Sequence, residues 1–163
     1  MTDLYLVRHA IAEDRDATRW PDDSQRPLTA DGIERFRRAA RGLRTIVPSV
    51  ERVISSPFVR AWQTAELLRE EAGWPEPEPG RELGADRDPS EPAALAGQNG
   101  VSSLALVGHE PQLSQLASLL TTGEEARLAI ELKKGGVIAL AASPGGHGVR
   151  WIATPKLLRG LST

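Results

Sequence analysis

The sequence predicts a three-layer α/β/α domain, with a mostly parallel central sheet and helices on both of its faces. Three observations carry that prediction. Short runs rich in strand formers occur at residues 4–7, 50–54 and 104–107. Each is followed, directly or after a loop, by a segment with apolar residues at helical spacing. No internal repeat and no interdomain linker interrupts the chain, so residues 1–163 are read as a single domain, long enough for one ordinary hydrophobic core.

Leu4-Tyr5-Leu6-Val7 is uninterrupted by polar residues, as expected of a strand buried on both faces. Residues 10–28 show no clear periodicity and carry many charges together with Pro21 and Pro27; a loop of that length in a compact domain is often functional. Thr29 suits the cap of a helix in which Ile33, Phe36, Ala40, Leu43 and Val47 recur at helical spacing. Arg35, Arg37, Arg38, Arg41 and Arg44 fall largely on its other faces and read as a solvated surface rather than a phosphate-binding array. After the second strand, Pro57 suits the first position of a helix with Phe58, Ala61, Trp62, Ala65 and Leu68 on one side.

Residues 73–92 are rich in proline, glycine and acid, and read as a long connection with one short strand near Leu83. A weak helix is expected at 92–98. The strand at 104–107 leads into a helix carrying Leu113, Leu116, Ala117 and Leu120. Apolar runs at 137–140 and 149–152 flank Pro144-Gly145-Gly146-His147-Gly148 and predict a β-hairpin, with His147 a surface residue of its turn. Trp62, Trp74 and Trp151 read as packing residues, whereas Trp20 either edges a site or packs the long loop down.

Hydrophobic residues make up 40% of the chain and charged residues 26%, which places it among globular rather than disordered proteins. The formal net charge of -2 points to neither nucleic acid nor an anionic membrane as a partner. Attraction for an anion must therefore come from a local cluster of cations. There is no cysteine, which excludes a disulfide framework, a thiolate nucleophile and thiolate metal sites together. With three histidines, a metal cage would have to be built from carboxylates, and neither a metal nor a cofactor is expected. The apolar run that ends at Arg8 has no basic leader and is too short for a signal peptide or a membrane span, so a cytoplasmic location is the expectation. Neither a P-loop nor a dinucleotide fingerprint occurs.

Three polar clusters carry the chemistry: Arg8-His9, Ser55-Ser56-Pro57 through Arg60, and Gly108-His109. Each lies just after a predicted strand and at or before a helix start. Ligands of open α/β sheets bind at the carboxyl ends of strands, so clusters some fifty residues apart in sequence converge there. Arginine offers a planar fork of donors matched to phosphate oxygens, and helix N-termini add backbone donors. A neutral imidazole in such a field attacks phosphorus, and fixed cations stabilise the charge that redistributes over the equatorial oxygens. Ser55 and Ser56 are candidates to touch phosphate, although capping accounts for one of them.

These residues resemble the histidine phosphatase superfamily, whose members include phosphoglycerate mutases and many small phosphatases. The resemblance rests on Leu6-Val7-Arg8-His9-Ala10, then Ser55-Ser56-Pro57-Phe58-Val59-Arg60-Ala61-Trp62-Gln63-Thr64-Ala65, then Val107-Gly108-His109-Glu110-Pro111, with Arg26-Pro27-Leu28-Thr29 and Gly32 as a fourth match. It is strongest toward the compact bacterial phosphohistidine phosphatases, the SixA group. The resemblance implies a phosphoglycerate mutase-like fold, His9 as nucleophile, and Arg8, Arg60 and His109 as the phosphate pocket. Asp23 and Arg26, in the loop that this group places beside the pocket, and Ser56 are implied substrate contacts.

Two departures accompany it. The family usually has glycine after the nucleophile, where this chain has Ala10, and a positive φ there would cost about 1 kcal/mol or more. No proton donor is evident, with Asp23, Glu82 and Glu110 the carboxylates to consider. The implied activity is hydrolysis of phosphohistidine on a phosphorylated protein, because the elements nearly exhaust the chain and leave no insertion to cover a small metabolite. Small phosphate esters as substrates, or a non-catalytic phosphate-binding module with a nucleophile spoiled by Ala10, are the alternatives.

Overall fold

The computed structural model describes residues 2–98 and 100–162. Strands β1 (Asp3–Arg8), β2 (Arg52–Ser55), β3 (Glu78–Pro79), β4 (Ser103–Gly108), β5 (Val137–Ser143) and β6 (Gly146–Ala153) form one sheet in the order β3-β2-β4-β1-β5-β6. β3, β2, β4 and β1 pair in parallel, and β5 and β6 complete the sheet as antiparallel strands. The sheet is thus mostly parallel, as predicted.

Alternation along the strands separates two cores. Leu4 and Leu6 of β1, with Leu104 and Leu106 of β4, face one layer; Val7, Ala105 and Val107 face the other. The second layer holds α1 (Ala30–Ile46), α2 (Val59–Leu67), its continuation through a π-type turn at Leu68–Ala72, and α5 (Pro155–Leu161). The first holds α3 (Ser90–Gln98) and α4 (Gln112–Thr122). Both faces of the central strands are covered, which is why they read as continuous apolar runs.

Thr29 caps α1, its hydroxyl accepting the Gly32 N–H at 2.8 Å. The arginine face of that helix is solvated and cross-linked: Arg35 pairs with Asp31, Arg37 with Glu70 and Glu71, and Arg41 with Glu71.

Several local expectations need correction. Pro57 precedes the helix instead of opening it, because the chain is still extended at Phe58, the residue that occupies the cap position. The short strand after α2 lies at Glu78–Pro79 rather than near Leu83, which sits in a single 3-10 turn over Arg81–Leu83 with its side chain in the core. β2 begins at Arg52, two residues later than the strand expected over 50–54. The hairpin turn is tighter than predicted, so His147 lies within β6, where its Nε2 is 2.8 Å from the Thr2 carbonyl oxygen.

Helix α5 was not foreseen. It carries the same start signal as α1: the Thr154 hydroxyl accepts the Leu157 N–H at 3.2 Å, and Pro155 takes the first helical turn. Trp74 is buried with its indole N–H donating to the Val47 carbonyl, while Trp62 and Trp151 are half-buried. Among the described residues no helix is long and apolar enough to cross a membrane.

Candidate active site

The parallel register brings the polar clusters together. In the sheet, β2, β4 and β1 are consecutive neighbours, with Arg8 opposite Gly108 and Ser55 opposite Val107. Past the last paired residues, the His9 N–H donates to the Gly108 carbonyl (3.0 Å) and the Ser56 N–H to the Val107 carbonyl (2.9 Å). His9, Ser56 and His109 therefore leave three adjacent strands at one level. The His9 and His109 rings lie 5.3 Å apart between centroids.

A cavity of about 320 Å³ opens at this edge, lined by His9, His109, Arg8, Arg26 and Arg60 among others. Its cations, Arg8, Arg15, Arg26, Arg60 and Lys134, outnumber its carboxylates, Glu13, Asp14 and Glu110. An excess of positive charge is thus concentrated here in a chain of net charge -2.

The His9 ring is fixed by a contact of 2.7 Å between Nδ1 and the Ala10 carbonyl oxygen. A carbonyl only accepts, so Nδ1 carries the proton and Nε2 keeps its lone pair. Among the described residues Nε2 has no hydrogen-bond partner, yet it is not sealed off, which leaves it open to the cavity. Burial, with Arg60, Arg8 and Lys134 reinforcing it, pushes the His9 pKa down to about 3 despite the opposing Ala10 bond. His9 is a neutral imidazole at neutral pH.

Ala10 is not strained: among the described residues, every positive φ belongs to glycine. Its N–H donates to the Thr64 hydroxyl (3.0 Å), which itself donates to the Arg60 carbonyl (2.8 Å). Gln63 accepts the Leu28 N–H at 2.8 Å and anchors the end of the long loop. The Gln63-Thr64 pair of the second motif thus ties α2 to the backbone beside His9 and to that loop. Sequence reasoning assigned Thr64 no role, because nothing local shows that it reaches residue 10.

His109 is 2% exposed, and its Nε2 lies 2.8 Å from the Ser56 hydroxyl. Burial first, then His9 and Arg60, also push its pKa down to about 3. Ser56 is itself fully buried behind the ring and does not line the cavity; it holds His109 rather than standing where phosphate would. Ser55 is also buried, its hydroxyl donating to the Ser56 carbonyl.

Arg60 is 3% exposed and stacks over Phe58 at 5.2 Å. It donates to the Asp23 carbonyl (3.0 Å) and to the Asp23 carboxylate (3.1 Å). Burial, then Arg26, lowers its pKa, and Asp23 opposes them. Asp23 also accepts from Arg26 Nε at 2.9 Å. Partial burial works to raise the Asp23 pKa, but the two arginines outweigh it and the net shift is downward. Asp23 therefore aligns the two guanidinium groups, and Arg26 lines the cavity while Asp23 does not. Arg8 donates to the Leu132 carbonyl (2.8 Å); burial lowers its pKa, and Glu110 opposes that shift.

Of the other carboxylates weighed from sequence, Glu110 lines the cavity but accepts from the Ser114 N–H (2.8 Å) and the Ser114 hydroxyl in the first turn of α4. Glu82 does not reach the cavity; its carbonyl accepts from the Gln112 amide at 2.9 Å. Trp20 lies in the long loop beside Arg15 and Asp23, away from the cavity wall.

Lys134 was missed by sequence reasoning. Its only local signal was a basic turn, Lys133-Lys134-Gly135-Gly136, ahead of an apolar run. Gly135 has φ +81, which favours glycine, and its N–H donates to the Arg8 and His9 carbonyls at 3.1 and 3.0 Å. That turn holds Lys134 at the wall of the cavity. Among the described residues, no group of three or more histidine or acidic side chains is arranged to hold a metal.

A neutral imidazole at a strand end, beside a second histidine and a set of arginines on a phosphoglycerate mutase-like sheet, is the arrangement of a histidine phosphatase. The chain belongs to the histidine phosphatase superfamily, and residues 4–83 match its branch 1. It is 30% identical over 128 residues to the phosphohistidine phosphatase SixA of Escherichia coli, covering 74% of this chain and 75% of that protein. The structure of the protein histidine phosphatase SixA complexed with tungstate superposes with a TM-score of 0.83 at 28% identity, over 95% of this chain and 98% of the other. Phosphoglycerate mutase from Bacillus anthracis shares the fold, with a TM-score of 0.71 at 13% identity over 99% and 97% of the two chains.

Proposed function

We propose that the protein is a metal-independent phosphohistidine phosphatase that dephosphorylates a protein through a covalent intermediate on His9. One observation carries the proposal. The Ala10 carbonyl holds the proton on Nδ1 of a neutral His9, leaving Nε2 as a free nucleophile at a cationic cavity. In the first step Nε2 forms a bond to phosphorus as the bond from phosphorus to the substrate imidazole breaks. A substrate ring protonated on its other nitrogen leaves as neutral imidazole. In the second step water attacks phosphorus, and the Nε2–P electron pair returns to His9, again neutral with its proton on Nδ1. Neither departure requires a separate acid.

That bookkeeping favours a phosphorylated imidazole as substrate. Asp23 is clamped by two arginines and Glu110 by Ser114, so neither is placed as the donor an alkoxide needs. The relative named as a phosphohistidine phosphatase supports the same choice. A second reading, a phosphatase for small phosphate esters, is favoured by Glu13 and Asp14, acidic residues of the cavity wall and candidates to protonate an alkoxide. The binding-module reading loses its premise, since Ala10 adopts no positive φ.

The test is turnover of phosphohistidine protein beside a panel of sugar, nucleotide and amino-acid phosphates, with and without chelator. Phosphohistidine should be preferred, chelation should leave the rate unchanged, and tungstate should compete. Rapid quenching should trap an acid-labile, base-stable phosphoryl group that folded His9→Ala lacks along with turnover. Better turnover of one ester would replace the substrate; substantial turnover by folded His9→Ala would end the covalent mechanism.

A further inference from the structure

A second concavity adjoins the phosphate cavity. It measures about 620 Å³ and is lined by Ile11, the Lys133-Lys134 turn, and Thr154, Pro155 and Lys156 at the start of α5. It shares Arg8 and Lys134 with the phosphate cavity, so the two are immediate neighbours. Their characters differ. The phosphate cavity is walled by charged groups, whereas the side groove is walled by Ile11, Pro155 and the aliphatic stems of lysines, with ammonium groups left for its rim. Lys133 is tied to Glu131 at 2.9 Å, and no ion pair holds Lys134 or Lys156 among the described residues.

A phosphoryl group with one attached side chain is accommodated by the first cavity, and the groove, about twice that volume, adds recognition surface with no reacting group in it. We propose that this groove seats the polypeptide of the substrate: a stretch beside the phosphorylated residue that places an apolar side chain between Ile11 and Pro155 and acidic side chains against Lys133, Lys134 and Lys156. The inference rests on the phosphoprotein reading above. Charge selects this occupant. The chain is acidic overall, yet the groove's charged side chains are four cations, Arg8, Lys133, Lys134 and Lys156, so the local field favours an acidic segment over a basic one.

The experiment compares wild type with Lys156→Glu, with Lys133→Glu/Lys156→Glu, and with Lys156→Met, which keeps the apolar stem. Three substrates are used: a phosphohistidine peptide flanked by Asp and Glu, the same peptide flanked by Lys, and phosphoramidate. Neither lysine lines the phosphate cavity, so phosphoramidate turnover should not change. The double reversal should raise KM for the acidic peptide on the order of ten-fold with kcat retained, and lower KM for the Lys-flanked one. Lys156→Met should show a smaller rise. Wild-type turnover of the acidic peptide that is indifferent to the reversals, or an equal loss on phosphoramidate, would overturn the groove while leaving the phosphohistidine reading intact. A wild type that hydrolyses phosphoramidate but neither peptide would remove that reading and the groove's occupant together.

Discussion

Single hydrogen bonds decide what the two site histidines do. The Ala10 carbonyl leaves His9 one possible neutral tautomer. For His109 the partner is Ser56, whose hydroxyl accepts the Phe58 N–H at 3.2 Å and keeps a proton that a His109 Nε2 lone pair would accept. In that arrangement Nδ1 of His109 carries the N–H. Ser56 is a positioning residue in this scheme, and Ser56→Ala should lower kcat by roughly ten- to a hundred-fold in a folded protein, by analogy with groups that orient a reactive imidazole. Nitrogen NMR of the imidazoles checks the cause: wild type should show His109 protonated on Nδ1, Ser56→Ala a mixture of tautomers, and Ser56→Thr recovery of both signal and rate. An unchanged tautomer beside a reduced rate would assign Ser56 a different role.

Helix contacts set the next level. α1 and α5 meet where Gly42 faces Leu158, and a Cβ at Gly42 would stand 1.7 Å from the Leu158 carbonyl oxygen. A glycine inside a helix ordinarily weakens it, so Gly42 reads from sequence as a small loss. Its neighbour across the interface reverses that reading. Gly42→Ala should force the helices apart and cost about 2–3 kcal/mol in urea unfolding. Gly97, in α3, has open space at its Cβ position, and Gly97→Ala should be neutral or stabilise by about 0.5 kcal/mol. Because α5 begins at the lysine-rimmed groove, Gly42→Ala should also disturb peptide substrates more than phosphoramidate.

For the molecule as a whole, the site is a source of acid instability. His9 and His109 are held near pKa 3 when folded, against an ordinary value of 6.5 in the open chain. Between those values the unfolded chain binds more protons than the native one, so stability is complete above about pH 6.5 and falls as the pH drops toward 3. At pH 5 the loss is roughly 2 kcal/mol for each histidine. Urea unfolding at pH 7.5 and pH 5 should show this decline in wild type and a shallower one in His9→Ala, which keeps only the His109 contribution. Equal slopes would show that His9 is not held neutral by the fold. Bound tungstate should steepen the benefit of folding at either pH, since it binds only the native cation cluster.

By itself the sequence determined the layers, the strands at the centre of the sheet and the three clusters that carry chemistry. Those properties are written in short-range pattern: apolar runs for strands buried on both faces, helical spacing after them, and Arg8-His9, Arg60 and Gly108-His109 at strand and helix ends. Tertiary structure alone decided the rest. That Ser56 stands behind His109, that Thr64 holds the Ala10 backbone and that Asp23 braces two arginines depends on side chains from different elements meeting within hydrogen-bond distance. Lys134 joins the site only because Gly135 folds its turn back onto the end of β1. No short window of sequence contains both partners of the Ser56–His109, Thr64–Ala10 or Asp23–Arg60 contacts, so their geometry exists only once the parallel register has set the strand ends side by side.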